Sequence, residues 1–250
     1  MPHADSAFVP GGLDKAQFWE HVYEQLTALL DGQRSWVRLS ACLPVQPFLT
    51  VCAYQRSLQV TNLANASSLI YNALLAYPPH FGDGDRAVNW CGEWPRQLPA
   101  FSKCPASRCL AQPAGFYLHA SFFPRPRIAV PSGDAPTPQP DEVLLLGPFC
   151  GKPACQFINV AAGKARGVCA DAFVQCATVR VQDVDAYPGH IACDGETKSE
   201  IVCPLVLHRP DGDVPIGVLD LDCLALSGFT QEDQAGLEKI ATLIVGACDW

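Results

Sequence analysis

The sequence predicts an α+β domain with a central antiparallel sheet flanked by helices. Three observations carry that prediction: an amphipathic helical pattern near each end of the chain, a second helical pattern at 62–77, and short apolar strands between Val143 and Asp222. Asp14 can cap the first helix, whose Phe18, Trp19, Val22, Tyr23, Leu26, Leu29 and Leu30 form one stripe before Asp31-Gly32 ends it. In Asn62–Tyr77, Leu63, Ala66, Ile70, Leu74 and Leu75 recur at helical spacing, and Pro78-Pro79 stops the run. Val143–Leu146 reads as a short strand ending at Gly147-Pro148, and Cys155–Val160 as another. A helix at about Val168–Cys176 follows, then strands at Thr178–Val181, Ile201–Leu207 and Ile216–Asp222. Thr230 caps the last helix, with Glu232 and Asp233 in its first turn and Leu237, Ile240, Ala241, Ile244 and Val245 on its apolar face. No repeat or linker divides the chain, so 1–250 is read as a single domain.

Composition narrows the function. With 17 basic and 25 acidic side chains the formal charge is −8, which argues against nucleic acid or an anionic membrane as partner. Apolar residues make up 49% and charged ones 17%, enough apolar surface for a substantial core. No leader pattern and no spanning apolar run is found, so the expected compartment is the cytoplasm, where thiols stay reduced. The 13 cysteines are an odd number, which excludes a fully paired intrachain framework. A special cysteine is then catalytic, redox-active or metal-bound. Zinc would need close ligand pairs, and Cys150/Cys155 with Cys104/Cys109 fit that pattern poorly, so neither a metal nor a cofactor is expected. Gly163–Gly167, with Lys164 and Arg166, lacks the Gly-Lys-Ser/Thr ending of a phosphate loop.

The chemistry-bearing text lies in four pieces: GPFCGKPAC ending at Cys155, Gly167-Val-Cys169, Tyr187-Pro-Gly-His-Ile-Ala-Cys193-Asp running on to Ser199-Glu200, and Gly217-Val-Leu-Asp220-Leu-Asp222. Together with Asn89-Trp90, Ala114-Gly-Phe-Tyr117-Leu and the two amino-terminal helices, these resemble the free methionine-(R)-sulfoxide reductases, small GAF-fold enzymes, in a fungal or other eukaryotic form. The resemblance covers essentially Cys150–Trp250 without a large gap.

That resemblance implies thiol-dependent reduction of the free amino acid's sulfoxide. Such a reaction needs a thiolate to attack sulfur, an acid to protonate the departing oxygen, and a second thiol to turn the sulfenic acid into a disulfide. By family match, Cys193 attacks, Cys155 resolves and Cys169 supports or replaces it, with a Cys155–Cys193 link as the implied disulfide and Cys150 left open as a competitor. Glu200 would sit beside the sulfoxide oxygen, while Asp220 and Asp222 would hold the substrate's ammonium group. Trp90 and Tyr117 would enclose the S-methyl group and its stem. Asp220 and Asp222, two apart on a strand, share one face, and clustered carboxylates raise each other's proton affinity. His190 either tunes Cys193 or caps its turn, the second being the reading taken, and Cys176, Cys203, Cys223 and Cys248 are read as packing residues. Implied partners are thioredoxin as reductant and a second copy of the chain, paired through terminal helices. The alternative is a GAF-type sensor that binds a small ligand without turnover.

Two segments depart from the family. Arg38–Gln59 has neither helical nor strand period and carries two prolines, and Cys91–Pro113 separates Trp90 from Ala114. Deleting both would rejoin Trp36-Val37 to Val60-Thr61 and Trp90 to Ala114. Residues 38–59 and 91–113 are therefore read as inserts, translated introns or gene-model errors, and 122–140 as a proline-rich loop. Five of the 13 cysteines, Cys42, Cys52, Cys91, Cys104 and Cys109, fall in the two inserts.

Overall fold

A computed structural model describes residues 8–32, 51–82, 84–88, 90–92, 114–119, 143–151, 154–191, 194–248 and 250. Helix α1 spans Lys15–Leu30 and is closed by a capping box: the Asp14 carboxylate accepts from Gln17 N at 2.8 Å, while Gln17 Oε1 accepts from Asp14 N at 3.0 Å. Helix α2 spans Val51–Leu75, so it starts eleven residues before Asn62, inside the segment 38–59 expected to be irregular. The two prolines of that segment, Pro44 and Pro47, precede Val51, and no proline or glycine interrupts 51–75. Propagation backwards from a well-packed helix is therefore unopposed.

The strands are β1 (Trp90–Gly92), β2 (Ala114–His119), β3 (Val143–Gly151), β4 (Phe157–Asn159), β5 (Val179–Val181), β6 (Ser199–Arg209) and β7 (Gly212–Cys223). They form one antiparallel sheet in the order β1-β3-β2-β7-β6-β5, with β4 on β3. Strand β1 includes Cys91 and Gly92, the first two residues of the second expected insert. β3 does not stop at Gly147-Pro148 as expected but continues to Gly151. The register of β2 against β3 shifts there, from Tyr117 opposite Leu146 to Gly115 opposite Phe149. An irregular pairing tolerates Pro148, which has no ladder N–H to offer. The other elements are α3 (Val168–Gln175) and α4 (Gln231–Ala247).

Strand periodicity divides the core in two. Ile201, Cys203 and Leu205 of β6 and Leu219, Leu221 and Cys223 of β7 pack with α1, α2 and α4 in the larger apolar cluster. Val202 and Val218 join Val168, Cys169, Ala170 and Ala172 of α3 in the smaller one. Cys203 and Cys223 are fully buried in the first cluster, the packing role expected of them, whereas Cys176 is an exposed left-handed C-cap residue, with φ 50°, whose thiol donates to Phe173 O at 3.7 Å.

The helical layer is keyed together at α1 and α4. Asp233, fully buried, receives Lys15 Nζ, Trp19 Nε1 at 2.9 Å and Thr230 N at 2.6 Å, which joins the two helices and caps α4 with one carboxylate. Gly236 lets the helices approach: a Cβ there would lie 2.3 Å from Trp19 Cγ.

Candidate functional site

The site grows from the β6–β7 pair. Glu200 stands opposite Asp222 and Val202 opposite Asp220, so three carboxylates leave the same face of the sheet, the face that α3 covers. α3 is preceded by its N-cap Gly167, whose φ of 87° suits glycine, and sets Cys169 down over the acids. Cys169 donates to Asp220 Oδ2 at 3.2 Å and lies 3.8 Å from Glu200 Oε1. These four residues, with Cys155, Phe157, Ile158, Asn159, Arg166, His190, Ile191 and Thr197, line a cavity of about 170 Å³.

The other wall is a tight turn. His190 N donates to Tyr187 O at 3.2 Å, Pro188 takes the first central position, and Gly189, at φ 76°, takes the second. Tyr187 Oη donates to Asp171 Oδ2 of α3 at 2.6 Å, which ties the turn to the helix carrying Cys169. The turn thus does more than end in a cap. It delivers the His190 ring into the cavity with Nε2 3.5 Å from Glu200 Oε2, whereas the sequence reading preferred a turn cap and paired His190 with no carboxylate. The Pro188-Gly189 pair was the readable signal, because it fixes a turn immediately before a titratable residue.

Burial governs the electrostatics. Glu200 is pushed up to about 7, chiefly by desolvation and secondarily by Asp222, against the lowering effect of His190. Asp220 and Asp222 are raised well above the usual carboxylate range, first by burial, then by Glu200 on Asp220 and by Asp220 on Asp222. Cys169 is raised in the same way, by burial and then by Asp220 and Glu200, so it rests as a thiol. Asp220 Oδ1 is buried without a hydrogen-bond partner among the described residues. Cys169, Glu200 and Asp220 carry ligand atoms within 4.8 Å of one another, a set able to hold a metal ion only after giving up the protons that burial keeps on it.

Of the residues expected from sequence, Cys155, Cys169, Glu200, Asp220 and Asp222 meet at this cavity. Cys150 instead packs on the side of the larger helical cluster. Trp90 and Tyr117 place their backbones in β1 and β2, with Tyr117 opposite Val218, and their side chains lie outside the described residues. Cys193 also lies outside them, between Ile191 and the turn in which Asp194 Oδ1 accepts from Glu196 N at 3.2 Å. The loop 122–140 and most of both expected inserts lie outside the described residues as well.

Among the described residues, a seven-stranded antiparallel sheet between a helical layer and one short helix, with an acid-lined cavity under that helix, defines a GAF-like α+β domain. A solved structure described as a GAF domain covers 100% of this chain and 98% of its own at 32% identity, with a TM-score of 0.64. No model of a protein family matches the chain. The free methionine-R-sulfoxide reductase of Saccharomyces cerevisiae is 33% identical over 246 residues, which is 98% of this chain and 94% of that protein. The free methionine-R-sulfoxide reductase from Neisseria meningitidis, solved in complex with its substrate, is 25% identical, with a TM-score of 0.57 over 97% of this chain and 95% of that one. The chain belongs to the free methionine-R-sulfoxide reductase family and is an oxidoreductase.

Proposed function

We propose that this chain reduces free L-methionine (R)-S-oxide to L-methionine by thiol chemistry and is recycled by thioredoxin. The observation that carries the reading is one cavity uniting Cys155, Cys169, Glu200, Asp220 and Asp222, with Glu200 held near neutrality at about 7. The Cys193 thiolate attacks the sulfoxide sulfur, and the protonated Glu200 carboxyl gives its proton to the oxygen. The S–O bond breaks, methionine leaves, and the oxygen remains on Cys193 as a sulfenic acid. The Cys155 thiol then attacks that sulfur, the Cys155–Cys193 disulfide forms, and the oxygen departs as water. Cys169 supports Cys155 or replaces it. Thioredoxin returns both thiols by disulfide exchange.

Asp220 and Asp222 bind the substrate's ammonium group, and a cation there satisfies the unpartnered Asp220 Oδ1 and restores the charge that burial suppresses. Trp90 and Tyr117 enclose the S-methyl end. We read residues 38–59 and 91–113 as additions to a single-domain enzyme, which sequencing of the spliced transcript tests, and the working assembly as a homodimer. No helix among the described residues is long and apolar enough to cross a membrane.

The test follows NADPH oxidation with thioredoxin, thioredoxin reductase and each epimer of free methionine sulfoxide. Turnover is expected with the R epimer and is expected to vanish in Cys193→Ser. Equal rates with both epimers, or full activity of the variant, overturn the mechanism. Binding of the sulfoxide without turnover would leave a ligand sensor.

A further inference from the structure

Glu200 can act once as an acid and must then regain a proton. The departing oxygen leaves as water, and once the first of its two protons has come from Glu200 the carboxylate left behind is buried, at 5% exposure. Among the described residues, the titratable groups facing it are Cys169 from α3, Asp220 and Asp222 from β7 and His190 from the 187–190 turn, while Tyr187, which also feels its charge, spends its hydroxyl proton on Asp171. Cys169, Asp220 and Asp222 are themselves buried, at 8%, 5% and 6% exposure. The His190 side chain, at 13% exposure, is the most accessible of the four, and its Nε2 is 3.5 Å from Glu200 Oε2. Its backbone is fixed by the Pro188-Gly189 turn, which Tyr187 anchors to Asp171, so the ring is placed by a rigid support.

We propose that His190 is the positioning residue that carries a proton from solvent to the Glu200 carboxylate between turnovers. An imidazole suits the task because it can accept a proton at one nitrogen while giving one from the other. In each cycle one solvent proton enters through the His190 ring, the Glu200 carboxylate takes it, and His190 returns to its starting state. No electrons move in this step. The inference rests on Glu200 being the acid of the proposed reaction.

The experiment compares wild type, His190→Asn and His190→Gln with free methionine-(R)-sulfoxide and saturating dithiothreitol, in steady state and in a single turnover of pre-reduced enzyme without reductant. At pH 6, below the value of about 7 to which burial raises Glu200, a pre-reduced enzyme begins with that carboxyl mostly protonated, so its first turnover needs no relay. Steady-state kcat of both variants is expected to fall about tenfold or more, with KM unchanged, and to recover when imidazole is added. Their single-turnover rate is expected to stay within about twofold of wild type. A steady-state kcat like that of wild type, a loss that imidazole does not restore, or an equal loss in the single turnover overturns the relay. Wild type inactive towards the free sulfoxide would instead overturn the reductase reading itself.

Discussion

Glu200→Gln separates what the proposed acid does for catalysis from what it costs the fold. In the folded chain Glu200 holds its proton up to about pH 7, against an ordinary value of 4.5. The unfolded chain therefore releases that proton first, and the folded state binds more protons between these two pH values. Stability from this group is fully present below about pH 4.5 and is lost as pH rises through about 7. At about 1.4 kcal/mol per tenfold change in proton affinity, the interval corresponds to roughly 3 kcal/mol. Glutamine is close in shape to the protonated carboxyl and never ionises, so it escapes that loss. Asp220, relieved of a neighbouring charge, shifts the difference in the same direction.

Glu200→Gln should therefore match wild type in stability near pH 4.5 and exceed it by roughly 3 kcal/mol at pH 8, while its kcat falls by about a hundredfold or more. Urea unfolding of both proteins at the two pH values, under reducing conditions, gives the difference directly. A stability difference that does not change with pH would refute the reasoning, because Glu200 would then not be a buried, proton-holding carboxyl.

Two further predictions concern the keying of α1 to α4. Lys15→Met leaves Asp233 buried without its cation and should destabilise the protein by about 3–5 kcal/mol, read as a lowered urea midpoint; a loss under about 1 kcal/mol would show that the pair is not desolvated. Gly236→Ala exchanges a helix-propensity gain of about 1 kcal/mol for a Cβ 2.3 Å from Trp19 Cγ, in a contact that neither helix can relax freely. Net destabilisation of about 1–3 kcal/mol is expected in thermal unfolding, and a raised Tm would refute the close approach of α1 and α4.

What was legible in the sequence follows physical locality. The ends of α1 and α4 were readable because Asp14 and Thr230 state their caps within a few residues. The common face of Asp220 and Asp222 was readable because strand period is local too. The start of α2 was not, since nothing between Val51 and Asn62 carries the helical stripe, although nothing forbids a helix either. The passage of β3 through Gly147-Pro148 depends on a register shift contributed by β2, a partner distant in sequence. The contact of Cys169 with Asp220 likewise needs α3 laid across the sheet, and that of His190 with Glu200 needs the turn tied to α3 through Tyr187 and Asp171.

The sheet register bears on how the enzyme's acids stay in place beside the long segment between Trp90 and Ala114. Val88 bridges Cys223 and Ala114 stands opposite Leu221, so the chain leaves β7 at one position and rejoins it with only Asp222 between. Asp222 does not need that edge for its own placement, because on the other side it pairs with Glu200 in the β6–β7 ladder, which keeps one register from Ser199 opposite Cys223 to Leu205 opposite Gly217. Ladder, α3 and the Pro188-Gly189 turn all lie within residues 168–223, so the acids, Cys169 and His190 are fixed relative to one another by contiguous chain. The residues expected to enclose the substrate, Trp90 and Tyr117, flank the departing segment instead. A change in that segment should therefore act on substrate enclosure, and hence on KM, before it acts on the proton chemistry of Glu200.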